Sequence, residues 1–173
     1  LSIMSSVETV AAPARRLTIA RAISEAIAQE MARDPSVLVL GEDIGKLGGV
    51  FGTTTGLLQR FGPERVRDTP ISETAFIGAA VGLAASGMKP VVELMFVDFF
   101  GVCMDAIYNL AAKQSYFSGG QVTCPMVLMT SVGGGYGDGD WLRTQYAAAG
   151  NIRTGCGFIT WSLGKQPHLL GEV

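Results

Sequence analysis

Glu73 opens the stretch ETAFIGAAVGLAA, in which almost every other residue is apolar or tiny. A carboxyl lodged in such surroundings keeps its proton more readily than one in water, and could share it with a ring nitrogen of a bound molecule. The same position also suits a first-turn glutamate that only complements a helix dipole. Glu42 and Asp43 follow directly on the run Ser36 to Leu40 and its Gly41. Acids there could bind a metal or a hydroxyl group, or serve as turn and cap residues. Phe96, Phe99 and Phe100 could stack on a planar ligand, although aromatics at helical spacing also build cores. The run Gly133 to Gly139, GGGYGDG, offers backbone N–H groups to a phosphate. It matches no phosphate-binding fingerprint, and a flexible surface turn accounts for it equally well.

His168 stands beside Pro167 with no carboxylate or cysteine at a suggestive spacing, and reads as an exposed tail histidine. Cys103, Cys124 and Cys156 are odd in number and far apart, unlike a disulfide framework or a metal site. They fit a reducing compartment. Only Lys113 is near enough in sequence to lower a thiol pKa, that of Cys103, and it lies one helix face away, so the cysteines are given no chemical role.

The elements that must position these groups are legible from periodicity. Ile19, Ile23, Ala26, Ile27 and Met31 recur at three and four residues, which predicts a helix from Leu17 to Arg33. Ser36 to Leu40 is a short Val/Leu run typical of a buried parallel strand. A glycine-rich loop, Lys46 to Thr55, is followed by a short helix, Gly56 to Phe61, and a short strand, Arg65 to Asp68. Ser72 to Ser86 reads as a helix with Ser72 as its N-cap, so bare of side-chain bulk that it must pack backbone-close to something. Pro90 to Phe96 is the third strand, apolar except for Glu93. A single helix from Asp98 to about Tyr116 is expected next, with Asp98 as a possible cap and Phe99, Cys103, Ile107 and Leu110 along one stripe. Pro125 to Thr130 is the fourth strand. Helix and strand alternate through residue 131, which predicts an α/β fold: a mostly parallel sheet with helices on both faces. Such sheets bind ligands beyond the carboxyl ends of their strands.

Composition narrows the possibilities further. Of 173 residues, 48% are hydrophobic and 16% charged, which excludes a disordered chain. Thirteen basic against fifteen acidic residues leave a charge of −2 and no basic stripe, so nucleic acid is not an expected partner. The most apolar stretch, Ala75 to Met88, is shorter than the roughly 20 residues that span a bilayer, and no membrane association is expected. A chain this apolar with 23 glycines is expected to hide one face against another subunit. The first sixteen residues read as a flexible tail. From Trp141 the periodicity is lost, apart from one β-like run, Gly157 to Leu163.

Taken together, the segment GEDIGKLGGVFGTTTGLLQRFGPERVRDTPISETAFIGAAVGLAASGMKPVVELMFVDF, then MDAIYNLAAKQSYFSGGQ and PMVLMTSVGGG, resembles a known family. It is similar to the β subunit of the thiamine-diphosphate-dependent decarboxylating component of 2-oxo acid dehydrogenase complexes. Pyruvate, branched-chain 2-oxo acid and acetoin dehydrogenases share that subunit. The likeness runs from Leu17 to Gly139. It implies a transketolase-like pyrimidine-binding domain over residues 17–140, holding the aminopyrimidine half of thiamine diphosphate. It implies also an α subunit that carries the diphosphate and its Mg2+, in a heterotetramer of two α and two β subunits. By the resemblance, Glu73 of DTPISE is the catalytic acid that hydrogen-bonds the pyrimidine ring nitrogen. Glu42 of GED matches a buried acid of a proton network, and Met95 and Phe99 match residues that line or stack on the pyrimidine. No metal ligand is implied in this chain.

The function implied is oxidative decarboxylation of a 2-oxo acid, or turnover of acetoin, with acyl transfer to the lipoamide of an acyltransferase core, in the cytoplasm. The sequence departs from the family after the glycine loop. Leu142 stands where an HSQ-type histidine is expected, and residues 141–173 form an atypical tail in place of the family's C-terminal domain. A fragment, or an ending altered by a shifted reading frame, would account for this, and the chain is expected to be inactive alone. Two other readings stay open: another transketolase-like enzyme, or an assembly module that keeps the α-binding face.

Overall fold

The computed structural model describes residues 15–131 and the strand segments 153–155 and 158–163. The expected tail up to residue 14, the 133–139 glycine loop, Leu142, Cys156 and His168 lie outside the described residues.

The first helix, α1 (Ile19–Arg33), is capped by Thr18, whose hydroxyl accepts from the Arg21 backbone N–H at 3.3 Å. Its buried face is Ser24, Ile27, Ala28 and Met31, so the stripe lies slightly off the expected one: Ile19 and Ala26 are exposed. Strand β1 (Val37–Gly41) is buried along its whole length, as its uninterrupted apolar run requires. It is followed by α2 (Leu57–Phe61), β2 (Val66–Asp68), α3 (Glu73–Ala85) and β3 (Lys89–Phe96). Each begins and ends within a residue or two of its expected bounds.

The long helix expected after β3 is not one helix. A 3-10 turn, Val97–Phe99, leads into α4 (Phe100–Met104), a π-helical stretch (Asp105–Ala111) and α5 (Gln114–Phe117). Asp98 lies inside the 3-10 turn and does not cap. In the π stretch the Ala112 N–H donates to the Ile107 carbonyl at 2.9 Å, five residues back, so each loop holds one residue more than in an α-helix. That slips the buried stripe by one position: Ala111 is covered and Leu110 is 45% exposed.

After β4 (Met126–Ser131) come β5 (Arg153–Gly155) and β6 (Phe158–Leu163). The sheet order is β2-β1-β3-β4-β6-β5. The first four strands are parallel, and β6 runs antiparallel to both β4 and β5. The β-like run beyond residue 157 thus extends the sheet.

Side chains alternate along β1 and divide the core in two. Leu38 and Leu40 join Val92, Leu94 and Leu128 beneath α3, α4 and the π stretch. Val37 and Val39 join Val66 and Met129 beneath α1 and α2. Helices therefore cover both faces. The connection from β1 to β2 passes over the α1–α2 face, whereas those from β2 to β3 and from β3 to β4 pass over the other. The chain leaves β1 and β3 in opposite directions, which makes the gap between their carboxyl ends the switch point where sheets of this kind bind ligands.

Candidate cofactor site

At the end of β1 the backbones of β1 and β3 approach closely. A Cβ on Gly41 would lie 2.7 Å from the Glu93 carbonyl oxygen, so only glycine fits. The next two residues divide the acidic pair. Asp43 is exposed and left-handed, with φ 54°, and its carbonyl accepts from the Gly49 N–H at 3.0 Å; it is a turn residue. Glu42 is buried, and its Oε1 has no hydrogen-bond partner among the described residues. Burial raises its pKa, the nearby Glu73 carboxylate raises it further, and the Ser72 backbone N–H draws it down.

Glu73 is the first residue of α3 and is also buried. Ser72 occupies the cap position without capping by its side chain: its hydroxyl donates to the Pro70 carbonyl at 3.1 Å. The expected side-chain cap is therefore absent, because the turn through Pro70 engages that hydroxyl. The Ser72 carbonyl still opens the helix, accepting from Ala75 and Phe76 at 2.9 and 3.0 Å. On its far side the first turn of α3 is tied to α4, where the Thr74 hydroxyl donates to the Val102 carbonyl at 2.7 Å. Glu73 is close enough to Cys103 to add to the rise of its thiol pKa, which burial mainly pushes up to about 12. The structure thus brings Glu42 and Glu73 together at the switch-point edge.

The aromatic residues separate likewise. Phe100 is core, at 1% exposure, while Phe96 and Phe99 are half-buried. Phe51 meets Phe96 edge to face at 5.8 Å, and Phe96 meets Phe99 at 6.1 Å, so the three rings run along the rim of the sheet. Met95 is half-buried and is an extra residue in the ladder: Leu94 pairs with Thr130, but Phe96 pairs with Ser131. The Ser131 hydroxyl fixes this bulge by donating to the Met95 carbonyl at 2.6 Å.

Glu93, Thr53 and Phe51 were not identified from sequence as site residues. Glu93 lies in register with Met129, on the α1–α2 face, and its buried Oε1 accepts from the Thr53 hydroxyl at 2.8 Å. Its one signal in the sequence is a carboxylate alone in an apolar strand. Among the described residues no group of three or more His, Cys, Asp or Glu could hold a metal ion, and no helix is long and apolar enough to cross a membrane.

Residues 15–140 match the family described as transketolase, pyrimidine binding domain. The chain belongs to the transketolase pyrimidine-binding domain family. Among relatives of the domain, the acetoin:2,6-dichlorophenolindophenol oxidoreductase subunit beta of Cupriavidus necator is 52% identical over 133 residues, covering 71% of this chain and 39% of that protein. The pyruvate dehydrogenase E1 component subunit beta-1, mitochondrial, of Arabidopsis thaliana is 44% identical over 143 residues, covering 83% of this chain and 39% of that protein. The Bacillus subtilis acetoin oxidoreductase subunit beta is 42% identical, covering 71% and 40% respectively. This pyrimidine-binding domain chain therefore spans about two fifths of the length of these relatives. Its residues fit a pyrimidine: among the described residues a buried carboxyl oxygen lacks a partner at Glu42, a second carboxyl stands beside it, and Phe99 is a half-buried aromatic following β3.

Proposed function

We propose that this chain is the pyrimidine-binding part of the β subunit of a 2-oxo acid or acetoin dehydrogenase. That subunit serves oxidative decarboxylation with acyl transfer to lipoamide. The observation that carries the reading is the burial of Glu42 and Glu73 side by side at the switch point. Thiamine diphosphate, when bound, supplies a thiazolium carbon that becomes the nucleophile. With the ring bound, the Glu73 carboxyl shares a proton with the pyrimidine ring nitrogen. Glu42, raised by burial and by its neighbour, takes up or returns a proton beside it. Met95 and Phe99 pack against the ring and keep water from it.

An α subunit would supply the diphosphate and Mg2+ site, in a heterotetramer serving a lipoyl acyltransferase core. Supporting that partner is the outer face of α3, where Ala75, Ala79 and Gly82 are exposed and carry almost no side-chain bulk. Ile71, 85% exposed, and Val102 flank it. The compartment we assign is the cytoplasm, on the free thiols of Cys103 and Cys124. Calorimetric titration of thiamine diphosphate with Mg2+ into this chain, the α subunit and their mixture tests the reading. Tight binding is expected in the mixture alone; equal binding by the α subunit without this chain would overturn it, as would decarboxylation by this chain alone.

A further inference from the structure

Glu93 is an expensive residue for its position. It is 6% exposed, and its Oε2 has no hydrogen-bond partner among the described residues. A valine would fill the strand without desolvating a carboxyl. What the carboxyl contributes is a hold on the loop that follows β1. Gly48, Gly49 and Gly52 in that loop all have φ between 75° and 80°, so the backbone turns without side chains to pack it. The loop is closed on itself by the Thr54 N–H to the Gly48 carbonyl at 3.0 Å, and on the turn after β1 by the Thr54 hydroxyl to the Ile44 carbonyl at 2.6 Å.

A side-chain hydrogen bond ties it to β3, from Thr53 to Glu93. Gly49 lies over the other carboxyl oxygen so closely that a Cβ there would stand 2.7 Å from Oε2. Two residues before Thr53, Phe51 reaches Phe96, which in turn meets Phe99.

We propose that Glu93 is a positioning residue: through Thr53 it latches the 48–55 loop onto β3 and so holds Phe51 against Phe96 at the rim of the cofactor site. For the part played by the rim, the proposal rests on the cofactor reading given above. The hydrogen bond needs an acceptor at position 93 and a donor at 53. Glu93→Gln and Thr53→Ser keep both, whereas the near-isosteric Thr53→Val removes the donor with little change in volume.

Two measurements test it. In amide hydrogen exchange of the chain, Thr53→Val is expected to lower protection of residues 49–55 about tenfold while β1 and β3 keep theirs, with Thr53→Ser close to wild type. In the complex with the α subunit, Thr53→Val is expected to raise the Kd of thiamine diphosphate about tenfold, with Thr53→Ser and Glu93→Gln close to wild type. Unchanged exchange in Thr53→Val would overturn the latch. Lost protection with unchanged cofactor affinity would overturn its role at the rim. If the wild-type complex binds no thiamine diphosphate, the cofactor reading and the rim role fail together, and the exchange result still decides the latch.

Discussion

Glu42, at the end of β1, and Glu73, at the start of α3, are buried as neighbours, and the charge of Glu73 adds to the rise that burial imposes on the Glu42 pKa. Replacing Glu73 with Gln removes the like charge and leaves the burial, so the Glu42 pKa is expected to fall part of the way toward that of an ordinary glutamate. Carbon-detected NMR titration of the Glu42 carboxyl in both proteins measures this, and an unmoved Glu42 would separate the two residues.

Glu93 gives the protein a pH dependence of definite sign. Burial lifts its pKa in the folded chain, against a smaller opposing pull from Thr53, so folding retains a proton that the unfolded chain releases. The stability this represents is whole below the ordinary glutamate pKa and is lost as pH rises through the raised value. Glu93→Gln cannot ionise and is expected to gain on wild type as pH rises. Urea midpoints of the two proteins, taken from pH 4 to pH 8, check the sign.

Gly41→Ala is expected to cost about 1–3 kcal/mol, because the new methyl would press on the backbone of β3 rather than on a movable side chain. Chemical denaturation of the chain measures it; a neutral result would show that β1 and β3 are able to part.

Gly78 and Gly82 are the opposite case: a Cβ on either meets nothing within 4 Å. Alanine at each is expected to stabilise the isolated chain by about 0.5–1 kcal/mol through helix propensity. If the α subunit closes over this face, the same pair of substitutions weakens the complex. Thermal melting of the chain and a pull-down with the α subunit give the two halves of the result.

Cys103 and Cys124 are buried, and burial pushes their thiols up to about 12 and about 11. Neither is expected to react with a thiol reagent at pH 8 in the folded chain, and both react after unfolding. Peptide mass spectrometry after labelling distinguishes the sites.

Strands β1, β3 and β4 were legible in the sequence because each is built on a short apolar run, and a parallel strand buried on both faces tolerates little else. The bare face of α3 was legible for the same reason, since composition alone shows that side-chain bulk is missing. Periodicity could not show that the helix after β3 would tighten to 3-10 and then widen to π, because the same apolar residues satisfy either winding until a sheet is there to select one. Ser72 stood at a cap position, yet its hydroxyl had a competing acceptor in the turn before it. Glu93 was visible only as an exception; its meaning depends on Thr53 and Gly49, forty and forty-four residues away.

The extra residue at Met95 makes β3 a strand whose phase is set by counting. Leu94 shares a face with Thr130, but after the bulge Phe96 is aligned with Ser131 and passes to the other side of the sheet, where Phe51 waits. Were the strand to straighten with every residue kept, position 96 would fall on the face of Leu94 and lose the aromatic contact whatever amino acid stood there. The aromatic rim is thus tied to the winding of the strand at Met95 rather than to the letter written there.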